Sequence, residues 1–246
     1  PHYEFLADEI WPEFAYGRNA VYPHGHHGNA VLSKYPIVHY ENRDVSIAGP
    51  ERRGLLHVVL QVPGREGKPD IHAICVHLSL QEAHRRQQLD MLCRMVRDEV
   101  PDDAPLLVAG DFNDWRRNAH RILEKGAGLH EVFVKATGRS AKTFPARFPV
   151  LQLDRIYVRD LNVDGVQRHT GAPWSRLSDH VALAALRAQH DVGGLDVAVD
   201  HLLAMRVIQR GAHLGEDRVC HRQRHLPLVH DHGLERASLD ELHHEE

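Results

Sequence analysis

Four short segments of this chain carry residues able to do acid–base or metal chemistry. Val76-His77-Leu78 closes one apolar run. Gly110-Asp111-Phe112-Asn113-Asp114 directly follows another, Leu106-Leu107-Val108-Ala109. Leu153-Asp154-Arg155-Ile156-Tyr157 opens a third, and Leu177-Ser178-Asp179-His180 precedes the last. Singly each is weak. A lone histidine after a strand is more often structural than catalytic. A Gly-Asp-Phe-Asn run can simply make a turn, and Asp-His pairs arise by chance. In this order they form one set. Carboxylates and an amide suit a hard, oxygen-preferring cation such as Mg²⁺, or Mn²⁺ in its place. Two histidines add acid–base capacity and hydrogen bonds to a phosphate. Together they equip a site for metal-assisted phosphoester hydrolysis.

The elements that must position these residues are legible as runs of Val, Ile and Leu bounded by Gly, Pro or Asp. Strands are predicted at Ala30–Ser33, Leu55–Val62, Ile71–His77, Leu106–Ala109, Arg155–Val158 and Val181–Leu186. The continuous apolar run at Leu106–Ala109 suits a strand buried on both faces. A helix is predicted over Gln81–Val100, where Leu89, Leu92, Cys93 and Val96 recur at helical spacing and Pro101 follows. A second helix spans Asn118–Lys125 and is closed by Gly126. Strands interleaved with few helices indicate α/β or α+β layers, and α/β enzymes place sites at strand ends.

Composition divides the chain. All fifteen aromatics lie between Tyr3 and Trp174, and no lysine follows Lys142. Residues 189–246 hold nine of the 22 histidines and carry a formal charge of -5, against -4 for the whole. Residues 1–188 are therefore near neutral at +1, which excludes gripping a nucleic acid by charge alone. Without aromatics the tail has poor material for a core. Its Cys220, His221, His225, His230 and His232 lack the paired Cys-x-x-Cys of a zinc finger. A short helix over Gly193–Val207 is its one periodic stretch. The tail reads as a loosely structured appendage, resembling an out-of-frame translation of GC-rich DNA. Three cysteines form no disulfide framework, so a reducing, cytoplasmic compartment is expected. No run reaches the ~18 apolar residues of a membrane span.

The ordered motifs GNAVLSKYPI, ICVHLS, GDFND, LDRIYV and LSDH resemble the endonuclease/exonuclease/phosphatase superfamily, also called DNase I-like. The resemblance spans nearly all of residues 3–187. Tyr3–Asp8, Ala15–Ala20 and Phe144–Pro149 bring it nearest to the bacterial YbhP-like branch. It implies a four-layer α/β sandwich on two central sheets, occupying residues 1–188. It also implies roles. Asp111 would orient or deprotonate the attacking water, and Asn113 would help position water and phosphate. His180 would bind the scissile phosphate and share in proton transfer, with Asp154 fixing its tautomer and raising its basicity. Asp179 would be a metal ligand beside Asp111, or support one. His77 would stabilise phosphate oxygens or act as an acid.

Secondary positions follow, Asn29, Arg85 and Gln88 from the resemblance and the others, such as Arg53 just before a predicted strand, from their place and type alone. Asn29 would shape the site or enter a strand as a turn residue, and Arg53 would face phosphate. Arg85 and Gln88 match an Arg-x-x-Gln pattern but equally suit helix-to-sheet packing. Phe144, Phe148 and Trp174 would line a cleft or join the core. His24, His26 and His27 read as solvated loop residues. Two earlier family motifs, an Asn-bearing strand and a Gln-Glu strand whose Glu is the main metal ligand, are expected upstream of this sequence. Without them the sheet would be incomplete at the N-terminus and metal affinity would fall. The expected protein is a monomeric Mg²⁺- or Mn²⁺-dependent phosphodiesterase acting on nucleic acid, a phospholipid head group or a small phosphodiester. The alternative is a catalytically impaired fragment that at most binds a partner.

Overall fold

The computed structural model describes residues 11–23 and 25–186. His24, the Tyr3–Asp8 motif, the 189–246 tail and the helix expected within it lie outside the described residues.

The frame is a six-stranded sheet. Its strands are β3 (Ile37–Asp44), β4 (Gly54–Leu60), β5 (Ile71–His77), β6 (Leu106–Asp111), β7 (His130–Glu131) and β8 (Asp154–Arg159). Their spatial order is β3-β4-β5-β6-β8-β7. Only β5 and β6 run parallel; every other pair is antiparallel. The parallel step needs a crossover, and helix α1 (Glu82–Glu99) supplies it. Two further antiparallel ribbons are β1 (Glu13–Tyr22) with β2 (Gly25–Ser33), and β9 (Gly165–His169) with β10 (Ala182–Leu186). Helices α2 (Asn118–Ala127), α3 (Val132–Thr137) and α4 (Trp174–Leu177) complete the described elements.

Side-chain alternation sorts the sheet into two cores. On one face Leu55, Ile74, Val76, Leu106 and Val108 meet Leu89, Leu92 and Val96 of α1 and Leu123 of α2. On the other, Leu56, Val58, Ala73, Cys75, Leu107 and Ile156 meet Ala15 and Val31 of the first ribbon and Leu183 of the second. Both faces of β5 and β6 are covered, so these strands are buried along their whole length. The expected α/β layering is present. Among the described residues, the remaining strands form two separate two-stranded ribbons and not one second sheet.

The predicted strands and both long helices are found within one or two residues, except that β2 starts five residues earlier, at Gly25. Strands β1, β3, β7 and β9 were not predicted. Strand β3 sits at a sheet edge and is largely exposed, so it needs no apolar run. His26 and His27 lie in β2 rather than in a solvated loop. The Tyr16 hydroxyl is 2.8 Å from His26 Nδ1, and His27 stacks on Tyr22.

One glycine is dictated by the sheet. Gly110 has φ +141, and a Cβ there would sit 2.0 Å from the Val76 carbonyl oxygen. Only glycine lets β6 approach β5 this closely at the point where the chemistry begins.

Candidate active site

Strand register brings the motifs together. His77 is the last residue of β5 and pairs with Asp111, the last of β6. Asp111 in turn pairs with Asp154, the first residue of β8. Three residues far apart in sequence thus share one row across one end of the sheet. His180 arrives just before β10, and its Nδ1 lies 2.7 Å from Asp154 Oδ2. Phe144 packs on the His180 ring, with centroids 5.0 Å apart.

Electrostatics separate the members of this group. Burial alone would lower the His180 pKa. The hydrogen bond and charge of Asp154, with Asp111 and Asp179 nearby, override it and raise the pKa to about 9. His180 is therefore an imidazolium at pH 7. Asp111 is 2% exposed. Burial first, and then the charge of Asp154, push its carboxyl up to about 7, against the opposing pull of His180, the Asn113 amide and Arg53. His77 is driven well below its ordinary value by burial, then by Arg53, His27 and His180. It is a neutral imidazole, with Nε2 3.7 Å from Asp111 Oδ2.

Asn113 is buried at φ 48, a left-handed conformation that asparagine tolerates. Its backbone N–H donates to Asp111 Oδ1 at 2.8 Å, and its side-chain amide donates to the Leu78 carbonyl at 2.9 Å. It therefore ties the Asp111 turn to the His77 turn. Asn29 is fully buried and donates to the carbonyls of Gly54 and Cys75, while its Oδ1 has no partner. Arg53 is buried, with Nη2 2.7 Å from Glu51 Oε1. Asp179 is exposed, and its carbonyl accepts from Ala146 N–H at 2.6 Å.

Several positions around the group have structural duties. Arg85 donates to the carbonyls of Ser79 and Leu80, pairs with Glu82 and stacks on Trp115. Gln88 accepts from Ser79 N–H and donates to the Val45 carbonyl. Both match their packing reading: they hold the turn after His77. Of the expected cleft aromatics, Phe144 reaches His180, Trp174 packs on His169 and Phe148 projects into solvent.

Two contributors, Glu51 and Thr143, escaped the sequence reading, and two more, Asp114 and Arg155, stand within its motifs without an assigned role. Glu51 binds Arg53 and accepts from the Ser79 hydroxyl, joining two site loops. Thr143 Oγ1 accepts from the N–H groups of Leu153 and Asp154, and the Thr143 carbonyl accepts from Val181 N–H. It therefore sets the spacing of Asp154 and His180. Asp114 accepts from the N–H groups of Asn118 and Ala119, capping α2. Arg155 donates to the Asp114 carbonyl, the Gln152 carbonyl and Ser140 Oγ. The charged pair within GDFND and LDRIY was visible in sequence, but its contact was not.

Among the described residues, no group of three or more His, Cys, Asp or Glu side chains is arranged to hold a metal ion. Mg²⁺ does not require one. One or two carboxylates, with substrate phosphate and water, are its usual ligands. Asp111 and Asp154 are register partners at this end of the sheet, and carboxylate oxygens are the donor type that a hard cation takes.

Comparison with known proteins gives the lineage and the fold. The pattern of the Endonuclease/Exonuclease/phosphatase family matches residues 2–180. YbhP of Escherichia coli K12 is 58% identical over 184 residues, covering 75% of this chain and 72% of that protein. YbhP of Shigella flexneri matches equally. An endonuclease/exonuclease/phosphatase structure from Bacteroides vulgatus has a TM-score of 0.61 at 20% identity, covering 74% of this chain and 78% of its own. A humanized D. rerio TDP2 gives 0.56 at 19%, covering 74% and 80%. Mannosyl-6-phosphatase Bt3783 of Bacteroides thetaiotaomicron gives 0.53 at 16%, covering 75% and 80%. At these identities the solved structures establish the fold, and the family match and the close relatives establish the lineage. This chain belongs to the endonuclease/exonuclease/phosphatase family.

Proposed function

We propose that the site hydrolyses a phosphodiester with the help of a divalent cation. The carrying observation is the row His77–Asp111–Asp154 closed by His180, in which burial and charge hold one carboxyl near neutrality beside a histidinium. An acid and a base of separated proton affinity are what water attack on phosphorus needs.

In this reading Asp111 accepts the proton of the attacking water. Water oxygen bonds to phosphorus, and the bond to the leaving oxygen breaks. His180, held through Nδ1 by Asp154, presents Nε2–H to the phosphate and gives its proton to that leaving oxygen. Neutral His77 and buried Arg53 stabilise the nonbridging oxygens. Asn29 and Asn113 keep the underlying turns rigid. Mg²⁺ or Mn²⁺, held by Asp111 and Asp179, would supply further charge neutralisation at those oxygens. The fold shared with a mannosyl-6-phosphatase supports phosphoester chemistry. We also assign the chain a monomeric, cytoplasmic role. The buried Cys75 thiol, pushed up to about 12 by burial, is unsuited to redox exchange.

The test is hydrolysis of bis-p-nitrophenyl phosphate by the full chain, with Mg²⁺, with Mn²⁺ and with EDTA. Metal-stimulated turnover that disappears in His180→Ala is expected. Turnover insensitive to that substitution would sink the reading.

A further inference from the structure

Large exposed apolar side chains ring the candidate site. Leu80 follows the His77 turn and is 57% exposed; Trp115 follows the Asp111 turn at 43%. Phe148, on the loop that starts at Thr143, is 76% exposed, and Leu177, just before His180, is 49% exposed. Such groups cost free energy in water and, when clustered, mark an interaction surface.

The loops that carry these knobs are linked to one another and to the turns of the candidate site. Arg85 fastens the carbonyls of Ser79 and Leu80 and covers one face of the Trp115 indole, 4.7 Å from its centroid. Arg155 bridges the carbonyls of Asp114 and Gln152. Ala146 N–H donates to the Asp179 carbonyl.

Charge on the rim is one-sided. Three knobs have an exposed arginine as chain neighbour: Trp115 with Arg116, Phe148 with Arg147, and Leu177 with Arg176. Asp179 is the exposed acid on these loops. A basic residue beside an apolar knob, repeated on three loops, complements an interface that is anionic outside and hydrocarbon within. Base stacking would call for free π-faces. Two of the four knobs are aliphatic, as are the neighbouring Val150 and Leu151, and one face of Trp115 is already occupied.

We propose that these loops dock on an anionic phospholipid surface, so that the site works on phosphodiester head groups at the membrane–water boundary. The substrate part rests on the hydrolase reading above; the docking part does not. Contact is peripheral, since among the described residues no helix is long and apolar enough to cross a membrane.

The test is cosedimentation of the full chain with vesicles. One set is phosphatidylcholine alone, and the other has one-third phosphatidylglycerol. Binding to the anionic set is expected, weakening as salt rises. Arg147→Gln should cost roughly fivefold, the usual share of one surface arginine. Phe148→Ala with Leu177→Ala should abolish pelleting, whereas Tyr40→Ala, exposed on edge strand β3, should not. Soluble glycerophosphoglycerol should fail to displace the protein. The proposal is overturned by equal pelleting with both vesicle sets, by no pelleting, or by pelleting that survives the double substitution. Loss of single-stranded oligonucleotide binding in that double variant, with vesicle binding unchanged, would also overturn it and assign the rim to nucleic acid. Hydrolysis of bis-p-nitrophenyl phosphate is measured in parallel. Vesicle binding without hydrolysis supports docking and counts against the reaction; hydrolysis without vesicle binding does the reverse.

Discussion

His180 Nδ1 and Asp154 Oδ2 lie 2.7 Å apart although 26 residues separate them in the chain. Both side chains are 18% exposed. The contact turns Nε2 away from Asp154 and raises the pKa of the ring. Removing the ring in His180→Ala should reduce kcat by roughly a hundredfold to ten-thousandfold, the usual worth of general acid–base catalysis. Asp154→Asn should cost roughly tenfold to a hundredfold, as loss of an orienting partner does. Steady-state kinetics on bis-p-nitrophenyl phosphate decide it. A rise in KM with kcat unchanged would assign both residues to binding.

The same pair sets an alkaline limit. His180 has a folded pKa of about 9 against 6.5 for the free side chain. Activity that needs the imidazolium should fall as pH rises through about 9. In Asp154→Asn that limb should move to lower pH. The linkage has the same sign: the pair stabilises the fold fully below 6.5 and loses that contribution as pH climbs through 9. A pH–rate profile whose limb stays put in the variant would disprove the assignment.

Asp114 and Arg155 form a buried support under the site, 3.6 Å apart between Oδ2 and Nη2. Asp114→Ala removes two capping acceptors and leaves a guanidinium without its counter-charge. Loss of one partner of a buried pair costs about 3–5 kcal/mol. Urea unfolding should show a drop of that order, with Asp114→Asn milder because it keeps an acceptor. A change below about 1 kcal/mol would show that the pair is not a support.

His57 and His72 stack at the far end of the sheet, with Nε2 of one 2.8 Å from Nδ1 of the other. Burial, then the charges of His72 and His39, lower the His57 pKa to about 4. The unfolded chain therefore takes up this proton first. The His57 contribution to stability should be level above pH 6.5, decline between 6.5 and 4, and level off below. The loss is on the order of 3 kcal/mol. Chemical denaturation across that range should lose much of this slope in His57→Gln.

Gly110→Ala places a methyl group 2.0 Å from the Val76 carbonyl oxygen, at φ +141. Separation of β5 from β6 should follow, with a lower Tm and lost turnover. A variant of wild-type Tm would contradict the parallel register at this point.

Much of the site was legible because its residues sit at strand ends, where apolar runs stop and polar residues begin. His77, Asp111 and Asp154 were located in this way. Arg53 was found by its place before β4, but its partner Glu51 was not, since a surface loop has no periodicity to read. Strand β3 was missed because an edge strand with an exposed face needs no apolar pattern. Thr143 was missed because a single hydroxyl bonding two amides leaves no trace in residue order.

The sequence by itself determined strands β4, β5, β6 and β8, helices α1 and α2, the family and the identity of the polar residues at the strand ends. Local apolar periodicity and turn chemistry suffice for that. Tertiary structure alone decided the row His77–Asp111–Asp154, the approach of His180 and the protonation states that follow. Register and burial arise between segments distant in the chain. A carboxyl at about 7 and a histidine at about 9 are properties of that packing, not of either residue type.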